Sequence, residues 1–476
     1  MKRTLVILFL VAAFFASCRK DQFITDASAK LAFSTDTVLF DTIFTTYATA
    51  NKVLKVYNPH NKSIKISSLR LAGGAASFYK INVNGVNGTT FSDLELYPND
   101  SMYIFVAAKI DQVGQDKPLL VSDSLIFVTN SNEQKIRLIS YGQDVNVLKN
   151  AHISTSTWTS DKPYLIFGTL TVDSNQTLTM QPGTRVYMYN NAGMVVYGSL
   201  VINGTKDNRA LIQHSRPEPY YMVVPGQWSK IILMDCSKNN LIEYTDIYSP
   251  VLGLQVGEPD KSSKPDLVIR NSMIINAKLD LVQAFGAAIT AENCVFANAG
   301  RACMALYKGG TYKLYHCSVV NYGIEGIALG KAQLSALYYN DTYSTGDGDY
   351  TGSLDELSCY NSIIYGGNGY SVNIIPSSAK YYFKKSSLNF NDKLLPRYDV
   401  SHFDSIMDAQ PMLKRPTLSD PDKDTYDFTP DSLSKVRDTA SLSISKLYPV
   451  DMNGKDRFTD GKPDLGAIEW FPKAAK

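Results

Sequence analysis

Side chains suited to acid–base chemistry on a polymer are concentrated in the middle of the chain: Asp235, Glu243, Asp246, Arg270, Glu292, His316 and Glu325. Polysaccharide lyases need Ca²⁺ on acidic ligands and a strong base, whereas glycoside hydrolases need two carboxyl groups flanking one sugar bond. Glu243 and Asp246 are three residues apart, so on one strand they face opposite sides and cannot form such a pair by themselves. The sequence therefore predicts no catalytic set.

An acidic loop near the C-terminus is a candidate Ca²⁺ site. Asp420, Asp422, Asp424 and Asp431 match positions 1, 3, 5 and 12 of a calcium-binding loop. Thr425 stands at the sixth position, where such a loop needs glycine, and no flanking helices are predicted. A solvated turn is the alternative interpretation. No other cofactor is expected.

Tyrosines offer candidate binding surfaces, since the chain contains 30 of them. Tyr338, Tyr339, Tyr343 and Tyr350 lie close together in a segment rich in Asp, Gly and Ser. Exposed tyrosine rings are flat and amphipathic, so they suit stacking on a sugar or contact with a protein partner. Aromatic ladders that only cover the surface are the alternative.

Composition points to a folded all-β protein. The chain has 476 residues, a length that favours two or three domains. Of these residues 44% are hydrophobic and 19% are charged, a composition typical of a folded chain and not of a disordered one. Tyr, Asn, Ser, Thr and Gly are abundant throughout and favour strands and turns. Without Lys2 and Arg3, which lie in a segment expected to be removed, 45 basic residues balance 45 acidic ones. Such a balance provides no basic surface for nucleic acid.

Residues 1–17 have the pattern of a signal peptide, with a basic start and an apolar run from Leu5 to Ala16. This run is too short to cross a bilayer as a helix. Ala16-Ser17-Cys18 resembles a bacterial lipobox, although Phe15 stands where leucine is usual. The resemblance implies that Cys18 is acylated and anchors the protein to a membrane. An ordinary secreted protein is the alternative.

The residues after Cys18 bear on location and redox state. Arg19-Lys20-Asp21 resembles the export tag of Bacteroidetes surface lipoproteins, with one acid instead of two, and implies an outer-membrane, surface-exposed lipoprotein. Residues 18–30 are expected to form a lipidated tether. The other cysteines are Cys236, Cys294, Cys303, Cys317 and Cys359. They form no C-x-x-C pair, so neither a disulfide framework nor a zinc site is indicated.

Residues 31–148 are predicted to form a β-sandwich of six to eight short strands separated by turn residues. Lys52–Tyr57, Ser101–Val106 and Ser124–Val128 are strand-like runs within it. The stretches VYNPHNKSIKISSLRLAGG, LYPNDSMYIFVA and LIFVTNSNEQKIRLISYG resemble the immunoglobulin-like modules of bacterial surface proteins. This resemblance implies a spacer or interaction domain.

A repeat then becomes visible. When six-residue strand-like runs are aligned, one column contains the small residues Thr245, Ser272, Cys294, Cys317 and Ser362. The spacings are 27, 22, 23 and 45 residues, and a period of 22 to 23 with strand alternation predicts one coil of a parallel β-helix. The gap of 45 indicates an insertion near residues 338–355 or an irregular coil.

Two further columns support the repeat. Two residues after the small one stand Ile247, Ile274, Phe296, Val319 and Ile364, which predict an apolar stack that points inward. Four residues after it stand Asn276, Asn298 and Asn321. Asparagines stacked at a bend can hydrogen-bond from coil to coil at about 4.8 Å spacing.

The same alignment assigns roles to the candidate catalytic residues. Arg270, Glu292 and Lys313 occupy nearby positions of successive coils, so we expect a surface ladder of charges rather than a catalytic cluster. His316 falls in the column of Asn271, Asn293 and Asn361. We therefore expect His316 to have a structural role at a turn or in a ladder, and not to act as a catalytic base.

The chain resembles the right-handed parallel β-helix family, the pectate lyase superfold, over residues 160–470. The resemblance rests on GTLTVDSNQTLTMQPGTRVYM, on GMVVYGSLVINGT and on the closing segment DMNGKDRFTDGKPDLGAIEW. It implies a fold rather than a reaction. None of the four motifs of polygalacturonases, Asn-Thr-Asp, Asp-Asp, Gly-His-Gly and Arg-Ile-Lys, occurs in the sequence.

These patterns favour an envelope lipoprotein with an all-β fold, an N-terminal β-sandwich and a C-terminal parallel β-helix. A stiff, extended helix suits a non-enzymatic scaffold that docks outer-membrane or surface proteins. The alternative is a surface polysaccharide-binding protein, or a polysaccharide lyase or hydrolase. The predicted partners are the membrane through Cys18, other envelope proteins and, in the alternative, carbohydrate.

Overall fold

The computed structural model describes residues 23–45, 51–111, 114, 118–216, 220–323, 334–366, 370–376, 379–388, 399–418, 420–421 and 423–472. Cys18, Glu325 and Asp422 lie outside these ranges. Strands dominate, which confirms the predicted all-β class. The chain forms two compact units, one ending at Asp144 and the other beginning at Val145. None of the helices in the described ranges is long and apolar enough to span a membrane.

The first unit contains strands Ala32–Phe33 (β1), Thr37–Phe44 (β2), Lys52–Tyr57 (β3), Ile64–Leu71 (β4), Tyr79–Val83 (β5), Val86–Gly88 (β6), Thr90–Leu96 (β7), Ser101–Ala108 (β8), Leu119–Thr129 (β9) and Asn132–Gln143 (β10). A turn of 3-10 helix spans Gly74–Ala76. Alternation explains the strands: β8 buries Met102, Ile104 and Val106 and exposes the residues between them.

These strands form the predicted sandwich of two five-stranded sheets. The orders are β1-β3-β8-β5-β6 and β2-β10-β9-β4-β7, with one apolar core. All pairs are antiparallel except β2 with β10. The tether predicted for residues 18–30 is wrong from residue 23 onward. The Ile24 N–H donates to the Ser63 carbonyl over 2.9 Å, and Ala29 lies buried in the core.

The second unit begins with strands Asn146–Lys149 (β11), His152–Ile153 (β12), Ser156–Trp158 (β13), Tyr164–Val172 (β14), Thr177–Met180 (β15), Arg185–Val196 (β16), Ser199–Asn203 (β17), Ala210–His214 (β18), Ile231–Leu233 (β19), Asn240–Glu243 (β20), Thr245–Tyr248 (β21), Leu254–Val256 (β22), Asp266–Arg270 (β23), Met273–Ala277 (β24) and Val282–Phe285 (β25). A single helical turn, Tyr220–Val223 (α1), interrupts them.

The later strands are Ala288–Glu292 (β26), Val295–Ala299 (β27), Met304–Tyr307 (β28), Gly310–Tyr315 (β29), Ser318–Asn321 (β30), Leu337–Asn340 (β31), Thr342–Thr345 (β32), Gly348–Thr351 (β33), Leu354–Tyr360 (β34), Ile363–Gly366 (β35), Val372–Ile375 (β36), Tyr381–Lys384 (β37), Ser387–Leu388 (β38), Phe403–Asp404 (β39), Leu413–Arg415 (β40) and Asp427–Pro430 (β41). Helix Leu442–Ser445 (α2) and a 3-10 turn, Val400–His402, complete the described elements.

Strands β11 to β31 and β34 to β39 wind into a parallel β-helix with three faces. Face A is the ten-stranded sheet β13-β15-β17-β20-β23-β26-β29-β34-β37-β39. The 17-stranded sheet bends into two faces. Face B contains the first halves of β14 and β16 together with β11, β18, β21, β24, β27, β30, β35 and β38. Face C contains the second halves of β14 and β16 together with β12, β19, β22, β25, β28, β31 and β36.

The repeated columns explain the coils. Ile247, Ile274, Phe296, Val319 and Ile364 are buried, as the predicted inward stack requires. The bend from face A to face B uses one residue with positive φ per coil, and Asn271, Asn293 and Asn361 lie at 49°, 53° and 50°. Asparagine tolerates this left-handed conformation better than most residues, which accounts for the column.

Two predicted boundaries differ from the structure. The β-helix starts at Asn146, ahead of residue 160, because β11 and β12 pair with β14. The gap of 45 residues is one coil with insertions, which was one of its two predicted explanations. The main described insertion is the hairpin of β32 and β33, since Leu337–Asn340 is a regular strand of face C and Leu354–Tyr360 is one of face A.

Candidate functional site

The C-terminal segment, residues 411–472, covers the outer surface of face B. Outward side chains of that face, among them Ile275, Val295 and Val320, form one buried apolar cluster with Phe428 and Leu465 of the segment. The closing segment expected from the sequence therefore lies along the side of the coils. Face B is not free to bind a polymer.

A buried ion pair fastens this segment. Arg457 and Glu469 are both fully buried, and the guanidinium donates to the carboxylate and, over 2.8 Å, to Oδ1 of Asn293. Burial raises the pKa of Glu469 and lowers that of Arg457, because desolvation opposes both charges. The pair persists because each charge offsets the cost of burying the other.

Three buried acids in the segment could suggest a metal site, but each carboxylate already accepts backbone N–H groups. Asp451 accepts from Asn453, Lys455 and Glu469. Asp464 accepts from Asp438 and Trp470, and Glu469 accepts from Asp464. These acids therefore hold the turns of the segment together.

His316 occupies the bend column, at φ 49°, where the sequence alignment placed it. Its Nε2 lies 2.9 Å from Nδ2 of Asn361 and 3.0 Å from Oγ of Ser445. Burial lowers the pKa of His316 well below its ordinary value, and nearby Arg457 lowers it further. A neutral, buried ring has no access to a polymer, so His316 is part of the fold.

The coil-to-coil asparagine ladder lies in this bend column. Nδ2 of Asn293 donates to Oδ1 of Asn271 over 3.1 Å. In the column predicted to form the ladder, Asn276 donates to the carbonyl of Met222 and Asn298 to that of Pro416, whereas Oδ1 of Asn321 accepts the N–H of Ala299 from the preceding coil. The prediction of bonds from coil to coil therefore holds for one of its three members.

Face A carries the expected ladder of charges. Nε of Arg270 lies 2.7 Å from the Glu292 carboxylate, and Nζ of Lys313 lies 3.1 Å from that of Glu356. These charges satisfy each other at partly exposed positions, the ordinary arrangement on a solvated sheet. Glu243 also lies on this face, opposite Arg270 in the register.

Asp246 lies on face B, across the bend from Glu243. The guanidinium of Arg209 binds its two oxygens over 2.9 and 2.7 Å. This bidentate pair occupies the carboxylate, so Asp246 is not available as a catalytic acid or base. The prediction that Glu243 and Asp246 do not form a catalytic pair agrees with their positions on different faces.

On face C, the outward side chains Phe285, Ala305 and Tyr307 form a buried apolar cluster against which Tyr343 of the hairpin packs, and no described residue of the C-terminal segment belongs to this cluster. At the start of face C, Nζ of Lys230 donates to Oε1 of Gln255 over 2.7 Å. On the next coil, Gln283 donates to the Asp280 carboxylate, which also accepts from Nε of Arg301 over 2.8 Å. Burial raises the pKa of Asp280, and the Arg301 ion pair opposes that rise.

The polar row continues along face C into half-exposed residues. Tyr338 and Asn373 are paired neighbours on β31 and β36 and point outward. Nδ2 of Asn340 donates to the Tyr338 hydroxyl over 3.2 Å. We call Lys230, Gln255, Gln283, Asp280, Arg301, Tyr338 and Asn373 the face C strip.

The tyrosines predicted to form one binding surface are separated by strand alternation. Tyr339 is fully buried among the inward side chains of the coils, so its predicted binding role is wrong. The ring centroid of Tyr343 lies 4.8 Å from both Phe285 and Tyr307. Tyr350 pairs with Tyr343 across the hairpin.

A carboxyl pair lies at the end of the face C strands. Asp235 follows β19 and Glu258 follows β22, one coil later, and the Asp235 N–H lies 3.4 Å from Oε2 of Glu258. Burial raises the pKa of Glu258, and the neighbouring Asp235 carboxyl raises it further. Asp235 is among the candidates that the sequence offers and Glu258 is not, because their separation of 23 residues matters only once the length of the coil is known.

The predicted Ca²⁺ loop does not converge on one point in the residues that the structure describes. Lys423 donates to Asp420 over 2.6 Å, and Arg415 lies 3.4 Å from Asp424. The Asp431 carboxylate accepts the N–H of Leu433. Within the described ranges, no group of three or more His, Cys, Asp or Glu side chains could hold a metal ion.

Comparisons with known proteins find solved structures at low similarity. No family model and no curated protein matches the chain. The catalytic unit of a GH87 α-1,3-glucanase from Streptomyces thermodiastaticus strain HF3-3 is 9% identical, with 70% of this chain and 79% of that chain covered at a TM-score of 0.27.

Two other solved structures are similar over shorter stretches. The PapD-like domain 7 of human CEP192 is 10% identical over 25% of this chain and 87% of that chain, at a TM-score of 0.17. A family 123 glycoside hydrolase from Clostridium perfringens is 9% identical over 27% and 30%, at 0.19. Similarities at this level do not decide the activity of this chain.

Proposed function

We propose that the β-helix binds a polysaccharide along face C. The observation that carries the proposal is the face C strip, a row of amide, charged and aromatic side chains that Ala305 interrupts on β28. Adjacent coils lie about 4.8 Å apart, a spacing close to the length of one pyranose unit. A linear glycan along the helix axis could therefore meet similar groups on successive coils.

The strip is preorganised for such a ligand. Gln255 and Gln283 are only 8% and 7% exposed as whole residues, and their amides are hydrogen-bonded to Lys230 and Asp280. The half-exposed Tyr338 and Asn373 supply a ring and an amide at the surface. Preorganised ligand sites usually combine fixed polar groups with an aromatic surface.

Binding by the full-length protein, extracted in mild detergent, to an array of bacterial and plant polysaccharides tests this proposal. We expect one polymer class to bind, and Tyr338→Ala and Asn373→Ala each to raise its Kd about tenfold. Tyr382→Ala is the matched control, a half-exposed outward tyrosine on face A. Failure of every polymer to bind, or an equal loss in the control, would contradict the proposal. Membrane proteins co-purifying at fixed stoichiometry would instead favour docking.

Cleavage of that polysaccharide is a second candidate function, favoured by the positions of Asp235 and Glu258 on neighbouring coils at the end of the face C strands. A glycoside hydrolase needs one carboxyl group that stays protonated and one that is ionised. The raised pKa of Glu258 suits the acid, and Asp235 supplies the second carboxyl group. Release of reducing ends from the bound polymer, and its loss in Glu258→Gln, tests this function.

We also propose that Cys18 carries the lipid that holds the protein on the outer membrane. The support is the sequence pattern of residues 1–18. Metabolic labelling with an alkyne fatty acid should mark the native protein and not Cys18→Ser. Protease treatment of intact cells then distinguishes a surface-exposed protein from one on the inner leaflet.

A further inference from the structure

A cavity of about 600 Å³ lies between the last coils of the β-helix and the C-terminal segment. One wall comes from the coils, through Lys385 and Met407, and the other from the segment, through Leu442, Lys462 and Leu465. Its volume falls within the range of small-molecule sites. It lies apart from face C and is independent of the proposed polysaccharide function.

The charges of this cavity favour an anion. Within the described ranges, neither Lys385 nor Lys462 has an ion-pair partner. The one acid of the lining, Asp438, lies 3.9 Å from the guanidinium of Arg437. The lining therefore contains two lysines without an ion-pair partner in the described ranges and one acid, which lies beside an arginine. Unpaired lysines at a concave site attract carboxylate or sulfonate groups.

The rest of the lining is mainly apolar. Ile406, Met407, Ala440, Pro463 and Leu465 form most of it. Leu442, also in the lining, leaves 53% of its surface exposed, so a large apolar side chain stands uncovered at the cavity. A ligand with a hydrocarbon body would remove this surface from water.

We propose that this cavity binds a small amphipathic anion, with its acid group at Lys385 and Lys462 and its apolar body against Leu442 and Met407. Because the two walls come from different stretches of chain, the bound anion also ties the C-terminal segment to the last coils. Ligand binding should therefore raise the Tm for release of the segment.

The test uses the full-length protein, with 8-anilinonaphthalene-1-sulfonate as a fluorescent probe and decanoate as its competitor. We expect saturable binding, displacement by decanoate and not by decanol, and a Tm that rises with decanoate concentration. Lys385→Gln with Lys462→Gln should weaken binding at least tenfold at unchanged Tm of the free protein. Lys435→Gln, an exposed lysine of the same segment outside the lining, is the matched control.

Two results would overturn the proposal. One is probe binding that the double lysine variant leaves unchanged, since the acid group would then lie elsewhere. The other is equal displacement by decanol and decanoate, which would show apolar binding without recognition of an anion. Polysaccharide binding by the same double variant reports separately on face C.

Discussion

Nη2 of Arg457 lies 2.8 Å from Oδ1 of Asn293, although 164 residues separate them in the chain. Asn293 is a rung of the bend column, and Arg457 is the buried cation of the C-terminal segment. This hydrogen bond joins the repeat that winds the coils to the segment that covers face B. The same arginine also neutralises Glu469, so its loss affects two interactions at once.

We predict that Arg457→Met destabilises the second unit by about 3–5 kcal/mol, because Glu469 is left buried without its counter-charge. Arg270→Ala, which removes an ion pair from a 43% exposed side chain, should cost about 1 kcal/mol or less. Urea unfolding followed by tryptophan fluorescence measures both. Equal losses in the two variants would show that the buried pair does not hold the segment.

Gly466 is predicted to be irreplaceable within DLGAIEW. It has φ +88°, and an added Cβ would lie 2.6 Å from Oγ of Ser318 and 2.7 Å from Cδ1 of Ile363. Gly466→Ala should therefore cost about 3 kcal/mol or more, from left-handed strain and overpacking together. Gly461→Ala is the control, at φ +92° with nothing within 4 Å, and should cost only about 1 kcal/mol. A thermal melt of each variant compares them.

Buried His214 should make the protein less stable in acid. Burial lowers its pKa from 6.5 to about 4, so the folded state binds its proton less readily than the unfolded state does. The stability is complete above pH 6.5 and is lost as the pH falls towards 4, by about 3 kcal/mol. His214→Leu should show a smaller drop in unfolding free energy between pH 7 and pH 4. The control, His152→Leu at an exposed position, should retain the full drop.

Strand alternation predicts opposite outcomes for neighbouring tyrosines. Tyr339→Ala removes a fully buried ring from the inward stack and should cost about 3–5 kcal/mol. Tyr338→Ala removes a half-exposed ring from the face C strip, so it should lower polysaccharide affinity with a smaller loss of stability. Chemical unfolding and binding of both variants separate the two effects. Loss of affinity in Tyr339→Ala at normal stability would contradict the assignment.

If face C also cleaves its ligand, the activity should depend on protonated Glu258. Because the pKa of Glu258 is raised, activity should persist above the pH at which an ordinary glutamate ionises, and then fall as the pH rises further. Glu258→Gln should lower kcat at least about a hundredfold and leave binding largely intact. Glu356→Gln on face A is the control. Unchanged kcat in Glu258→Gln would exclude this residue as the acid.

The regular parts of the fold could be predicted because their signal is local and periodic. The run Lys52–Tyr57 is a strand with the same bounds in the structure. The column from Ile247 to Ile364 points inward, and His316 stands at a bend, because both follow from the coil period. The tether prediction is wrong for residues 23–30 because their composition is polar, whereas the burial of Ala29 depends on contact with strands distant in the sequence.

The sequence by itself determined that the chain forms coils, and which residues occupy equivalent positions in them, because each coil must bury its own repeated apolar column. Only the tertiary structure decided which faces remain open. The C-terminal segment covers face B, strand alternation separates Tyr338 from Tyr339, and coil stacking brings Glu258 to Asp235. The physical reason is that exposure and contact depend on segments far away in the chain, which no local pattern specifies.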